Sequence, residues 1–432
     1  MARLRAVPAP TPPVPRAHRR LRVLYLTCHL PFPPHSGGRL RDAELIRHLA
    51  DRAEIHLCVV SKTYEQDLAH QAEAERYCAS VAVLPAAPVA GGAADDTTPE
   101  KIRRHHCPEM RELLAAKLAA GDFDVIHVEG YYLMQHVPAD ASVPVFLGTQ
   151  NVEYLLEEQR STLCGAAAPV RAEVQDAARW AEESAWLRAD ACGAVSHDDL
   201  THIRTHVRIP VTRWTPDGSD HLSPTDTGDL LPGLGNGPRV LYLANFGYQP
   251  SADAGRLLCE QIWPSVHSQV PDARLILAGA NPPDWLREYA AHDSSITVTG
   301  PVESVTPLLL RADLFLAPLR IGGGVKVKIL EALTAGCAVV TTPVGAQGLA
   351  PEVRAAMAVV ADEHDAVEAA TALLRSPERR EELRAAARDV ASRLPSWPQA
   401  ARLLHDAWLA MLDRVRTAAR ESAYARVDER VG

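Results

Sequence analysis

Two successive doubly wound α/β units are the predicted architecture, and three observations predict it. From Leu21 onward, short runs that are apolar nearly throughout alternate with helix-compatible stretches. The alternation breaks once, at "TPDGSDHLSPTDTGDLLPGLGNGP" (215–238), and then restarts. At 432 residues the chain is too long for one typical core and suits two domains of ordinary size.

In the first half, "RVLYLT" (22–27) reads as a strand, Arg39 to Asp51 as an amphipathic helix, and "EIHLCVV" (54–60) as a second strand. "VAVLP", "DVIHVE" and "VPVFLG" follow as strands with helical segments between them, then "GAVS" (193–196) ahead of a short helix. Strands apolar on both faces imply a parallel sheet covered by helices on each side. Proline, glycine and aspartate crowd the break, as a linker or long loop requires. Beyond it, "RVLYLAN", "RLILAG", "ITVTG", "DLFLAP" and "AVVTT" are five further strand candidates, each with a helix-compatible segment after it. Helices near 378–391 and 397–420 close the chain.

The domain layout expected is an extension at 1–20, an N-terminal unit at 21–215, a linker at 216–238, a C-terminal unit at 239–395, and a final helix at 396–432 packing back towards the N-terminal unit. The opening "MARLRAVPAPTPPVPRAHRR" carries five arginines, no acid and many prolines, with no continuous apolar region of the kind a signal peptide needs. It reads as a disordered extension, with a contact to anionic lipid or to a partner as the alternative.

Composition narrows the class. Hydrophobic residues at 47% and charged residues at 23% fit a soluble globular protein. A net charge of −9 argues against wholesale nucleic-acid binding. No run reaches the ~18 apolar residues that span a bilayer. The eight cysteines form no CxxC pair, and several sit inside apolar runs, as Cys58 and Cys337 do. Reduced thiols in a cytoplasmic protein are expected from that pattern.

Chemistry is densest in "APLRIGGGVKVKILEALTAGCAVVTT" (317–342). Gly322, Gly323 and Gly324 let a ligand approach the backbone without meeting a β-carbon. Lys326 and Lys328 follow at the start of a helix, where cations oppose the helix dipole unless an anion arrives. A bound anion is one reading of these lysines, and a solvated helix start is the other. Glu331 lies three residues past Lys328 on nearly the same face, as an intrahelical ion pair or as an acceptor for vicinal hydroxyls such as those of a ribose. In the first half, Gly37 and Gly38 precede a helix with Arg39 and Arg41 in its first turn. Free amides there form an anion site or an ordinary strand-to-helix turn. The GxGxxG and Walker A spacings are both absent.

These segments resemble the GT-B glycosyltransferases of the retaining family GT4. The resemblance covers most of residues 21–350 and is densest in 239–349, through "NFGYQPSADA" (245–254) and "GGGVKVKILEALTAGCAVVTTPVGAQGL" (322–349). "ADACGAVSHDDL" (189–200) and "TPDGSDHLSP" (215–224) are similar to the family's last N-domain strand and interdomain turn. The resemblance implies two Rossmann-like domains facing a central cleft, the N-terminal one for the acceptor and the C-terminal one for a nucleotide-diphosphate sugar. That sugar is a co-substrate, and no cofactor is implied. Glu331 matches the second glutamate of the E-x7-E pattern, which holds the donor ribose. Lys326 and Lys328 match basic positions near the diphosphate, and Gly37 and Gly38 match the loop facing the β-phosphate and the sugar.

Three departures stand out. The first glutamate of E-x7-E falls at Gly323. "ANFGYQPSADAGR" offers no cation before Arg256, where many members grip the diphosphate. Gln150 stands where relatives often carry histidine, and a glutamine cannot shuttle protons at neutral pH. The catalytic set expected is Lys328, Glu331 and Gln150, with His127, Glu129 and Asn151 as acceptor or sugar contacts.

No metal is expected, because lysines and helix N-termini can neutralise a leaving diphosphate. The Asp-x-Asp of "GDFD" (121–124) precedes a strand, where Asp124 caps or turns, and the adjacent histidines of "RRHHC" (103–107) point different ways on a helix. The expected activity is transfer of a sugar, with retained anomeric configuration, from a nucleotide-diphosphate sugar to a hydroxyl acceptor in specialised-metabolite or cell-envelope glycan biosynthesis. The alternatives are a degenerate partner protein and a nucleotide-sugar 2-epimerase. No transmembrane segment is expected, and a peripheral membrane contact stays open.

Overall fold

The computed structural model describes residues 19–88, 98–163, 168–222 and 237–431. The extension up to residue 18, residues 223–236 of the linker stretch, and Cys164 lie outside them. Among the described residues there are two parallel sheets.

The first has seven strands in the order β3-β2-β1-β4-β5-β6-β7. These are β1 (Leu21–Thr27), β2 (Ala53–Ser61), β3 (Ser80–Pro85), β4 (Val125–Glu129), β5 (Val145–Thr149), β6 (Ala191–Ala194) and β7 (Val211–Trp214). The second has six, β10-β9-β8-β11-β12-β13. Its strands are β8 (Arg239–Leu243), β9 (Arg274–Ala278), β10 (Ile296–Gly300), β11 (Leu314–Ala317), β12 (Val339–Thr341) and β13 (Ala358–Val359). In both, chain order reverses beside the first strand of the sheet, which opens a crevice at the carboxyl ends of the strands.

Five helices position the site: α1 (Gly37–Leu49), α2 (Glu153–Leu163), α3 (Gln249–Leu257), α4 (Val327–Thr334) and α5 (Trp397–Val431). The central strands are buried on both faces, as the near-continuous apolar runs require. Two edge strands escaped the sequence reading. Strand β7 has four residues with polar Thr212 and Arg213 among them, and β13 has two, so neither carries a periodic signal.

Helix α5 does not stay with the second sheet. Trp397, Ala401, Leu404, Trp408 and Met411 bury their side chains in the core beneath β1 and α1. Each large apolar side chain so buried contributes roughly 1.5–3 kcal/mol, so the return is firmly anchored. The chain therefore crosses between the units twice, and the crossings touch. Ser219 N–H donates to Pro395 O at 3.0 Å, and Asp220 Oδ1 accepts from Trp397 N–H at 2.6 Å. A β-carbon on Gly218 would fall 2.4 Å from the Trp397 nitrogen, so the passage needs glycine there.

Candidate active site

The site forms where the amino end of α1 meets the amino end of α4. A β-carbon on Gly37 would lie 3.6 Å from Val327 Cγ2, at van der Waals distance, so the two helix starts lie against each other. The first N–H groups of a helix have no intrahelical partner, so each helix start carries partial positive charge.

The glycine turn before α4 packs on the first unit. Gly324 has φ +56°, and its missing side chain points at Gln150 O, 2.0 Å from where a β-carbon would stand. A β-carbon on Gly323 would come within 2.8 Å of Asn151 Cβ. With its amide turned to satisfy its neighbours, Asn151 Nδ2 donates to Gly323 O and to Gln150 O, both at 3.0 Å. Gly322 N–H donates to Gln159 Oε1 of α2 at 2.9 Å. The bare backbone therefore serves contact between the two units. This also supplies a physical reason for glycine at 323, since a glutamate would collide with Asn151 in this arrangement.

Lys326 is buried, and its Nζ donates to Gly324 O at 2.9 Å and Gln347 Oε1 at 3.4 Å. Lys328 Nζ sits 4.7 Å over the Tyr242 ring and 3.4 Å from Ser251 Oγ of α3. Among the described residues neither lysine makes an ion pair. Burial pushes Lys326 down to about 7 and Lys328 down to about 8, with Asp199 and Glu331 respectively opposing the shift. Two ammonium groups are thus held in a poor solvent for charge, and an arriving dianion would relieve both.

Glu331 is not paired with Lys328 by hydrogen bond. Its Oε1 accepts from His221 Nε2 at 2.9 Å, and His221 Nδ1 accepts from Trp397 Nε1–H at 3.1 Å. An indole N–H can only donate, so His221 Nδ1 is the acceptor and Nε2 carries the proton that faces Glu331. Glu331 keeps Oε2 for another donor.

On the first sheet, Gln150 Nε2 donates to Glu129 Oε2 at 3.3 Å. Glu129, Tyr132, Gln150, Asn151 and Glu153 line a small cavity beside the cleft. His127 is placed otherwise. It is fully buried in β4, stacked between Tyr25 and Phe146, and does not face the cleft. Its Nε2 donates to Glu129 Oε1 at 2.8 Å and its Nδ1 accepts from Trp408 Nε1–H at 3.1 Å, so both nitrogens are engaged. Placing it on the cleft wall took the strand end for an open face. Burial pushes the Glu129 carboxyl up, but His127, Arg41 and Gln150 outweigh it and hold it at about 2.

Asp124 accepts from Arg22 N–H at 2.8 Å and pairs with Arg19 at 2.8 Å, at the amino end of β4 and away from the cleft. His105 Nδ1 engages Lys101 O, while His106 Nδ1 reaches Gln135 Oε1 at 3.1 Å, so the two rings diverge. Arg256 lies over Trp285 at 4.7 Å and 3.7 Å from Glu260, away from the lysines. Sequence reading missed Tyr242, Ser251, His221, Gln159 and Gln347. Each reaches the site only through tertiary contact, and no local spacing marks it.

A model of the family "Glycosyl transferases group 1" matches residues 237–376. No curated protein sequence matches the chain. Among solved structures, sucrose-phosphate synthase from Thermosynechococcus elongatus is similar at 17% identity, over 93% of this chain and 100% of that one, with a TM-score of 0.68. HepE from Anabaena, solved in complex with UDP and glucose, matches at 16% identity over 90% and 100%, with a TM-score of 0.65. Trehalose 6-phosphate synthase from Burkholderia multivorans matches at 12% identity over 93% and 100%, with a TM-score of 0.59. These likenesses show the GT-B fold. The segment that holds the glycine turn, both lysines and Glu331 matches a glycosyl transferases group 1 (GT4) domain.

Proposed function

We propose that the chain is a retaining glycosyltransferase that moves a sugar from a nucleotide-diphosphate sugar to a hydroxyl acceptor without a metal ion. The observation that carries this reading is the pair of lysines at the amino end of α4, Lys326 buried and Lys328 half-buried, neither in an ion pair among the described residues. The diphosphate lies against Lys326, Lys328 and the start of α4, facing Gly37 and Gly38 across the cleft. Its charge restores full protonation of both lysines. As the glycosidic bond breaks, charge accumulates on the leaving phosphate, and preorganised cations in a dry cleft stabilise that state by several kcal/mol.

Glu331 accepts from the ribose hydroxyls through Oε2 while His221 fixes Oε1. The relative bound to UDP and glucose is in keeping with a donor of this class. The C-terminal unit takes the donor, and the first unit takes the acceptor at the cavity beside Gln150, Asn151 and Glu129. Gln150 positions by hydrogen bonding, and no proton shuttle is assigned to it.

Thermal shift with a panel of nucleotide-diphosphate sugars tests the reading. A donor at 100-fold its Kd adds ~2.7 kcal/mol of stability. The matched donor should then be hydrolysed slowly without acceptor, and NMR of the first-formed sugar should show the donor's own anomer. Absence of any shift across the panel, or an inverted product, contradicts the proposal.

A further inference from the structure

Cys28, His29 and Asp42 form a second constellation, which the donor reading leaves unused. Cys28 follows β1, is partly exposed, and holds its Sγ 3.4 Å from His29 Nδ1. His29 Nε2 lies 3.0 Å from Asp42 Oδ2, at ion-pair distance from a fully buried carboxylate of α1. Asp42 is fixed by the Tyr25 hydroxyl at 3.0 Å and the Thr27 hydroxyl at 2.8 Å. An imidazole between a sulfur and a carboxylate favours the imidazolium and thiolate together. Tyr132 O–H donates to the same sulfur at 3.3 Å, which further favours the anion.

The remaining titratable groups facing Cys28 are His105, which stacks on Tyr132 at 4.3 Å, and Lys62 after β2. Burial pushes the Cys28 thiol up, but His29 and His105 hold it well below the ordinary range. Burial pushes His29 down, and Cys28 with Asp42 raises it to about 10. The other described cysteines behave oppositely. Burial pushes Cys58, Cys78, Cys259 and Cys337 up to about 12, and raises Cys107 and Cys192 as well.

We propose that Cys28 is a nucleophilic thiolate and a site of thiol–disulfide exchange beside the cleft, taking low-molecular-weight disulfides as its partners. The Cys28 sulfur attacks one sulfur of R–S–S–R, a Cys28–S–S–R bond forms, the original S–S bond breaks, and R–S⁻ leaves. Cys28 is oxidised and the departing thiol is reduced, while His29 keeps its proton. The adduct displaces the Tyr132 hydroxyl, which belongs to the cavity that also holds Gln150. The chemistry does not depend on the donor reading, and its test needs no transferase assay.

The native protein is alkylated with iodoacetamide at about pH 6 and about pH 8, and peptide mass spectrometry assigns each site. Cys28 should react first, at rates within ~3-fold of each other, whereas an ordinary thiol slows by roughly 100-fold between those conditions. His29→Gln should slow the reaction at the lower pH by at least ~10-fold and at the higher pH by less. If that variant fails to fold, the wild-type pH profile decides alone. Oxidised glutathione should give one adduct, at Cys28, reversible by dithiothreitol. A rate that tracks hydroxide over this range, or labelling only after denaturation, overturns the thiolate. Lack of the glutathione adduct overturns the exchange.

Discussion

His221 Nε2 donates to Glu331 Oε1 at 2.9 Å, and this bond joins the crossing between the two units to helix α4, which carries Lys328 and Glu331. Trp397 fixes the histidine from the returning helix α5. The carboxylate is thereby oriented by the same residues that bring the chain back to the first unit.

Glu331→Gln separates binding from folding. Its Oε1 can still accept from His221, so stability without donor should change by ~1 kcal/mol or less. The charge that strengthens hydrogen bonds to ribose hydroxyls is lost, at ~1.5–3 kcal/mol. Donor affinity should therefore fall roughly tenfold to a hundredfold in calorimetry. Equal affinity in the two proteins would remove Glu331 from the site.

Donor affinity should also fall as pH rises. Free Lys326 and Lys328 lose their protons near 7 and 8, while a bound diphosphate raises both values. Binding then takes up protons, and affinity should drop at least ~10-fold between about pH 7 and about pH 9. For folding alone the sign follows from the same groups. Their folded values lie below the unfolded lysine value, so a charge-burial penalty is present below about 7 and is relieved as pH rises towards ~10.4. Titrations in buffers of different ionisation enthalpy check the proton count, and proton release on binding would contradict it.

Gly323→Glu restores the letter of the E-x7-E pattern but should not raise activity. Its β-carbon would stand 2.8 Å from Asn151 Cβ, so the turn must leave Gln150 and Asn151. Overpacking of this kind typically costs 1–3 kcal/mol. A lower melting temperature and a larger radius of gyration in X-ray scattering are expected. Faster donor hydrolysis at unchanged stability would show that the glycine is not there for domain contact.

Much of the fold was legible because buried parallel strands announce themselves as apolar runs, and eleven of the thirteen strands among the described residues overlap a strand read from the sequence. Strands β7 and β13 were not, since four and two residues at a sheet edge leave no pattern. Of the candidate site, the glycines, lysines and Glu331 stand out through local spacing. His221, Ser251 and Tyr242 were not, because only the packed fold brings them to Glu331 and Lys328. His127 shows the opposite failure. Its strand-end position suggested a ligand contact, while Trp408, 281 residues away in sequence, seals it into the core.

Turnover should survive chelation. The diphosphate charge is assigned to two lysines and two helix starts, so an excess of EDTA should change donor hydrolysis by less than ~2-fold. Loss of activity with rescue by Mg²⁺ or Mn²⁺ would shift the chemistry to a metal ion.

The most direct measurement is calorimetric titration of UDP, GDP, ADP and dTDP into the wild-type protein and Lys328→Gln. At least one nucleotide diphosphate should bind the wild type, and the variant should bind that same nucleotide ~10-fold or more weakly while melting at nearly the same temperature. Lys328 is half-buried beside Tyr242 and Ser251 and makes no ion pair among the described residues, so its neutral replacement should fold at least as well. Equal binding to both proteins, or binding to neither, would mean that the two lysines at the start of α4 are not a diphosphate site.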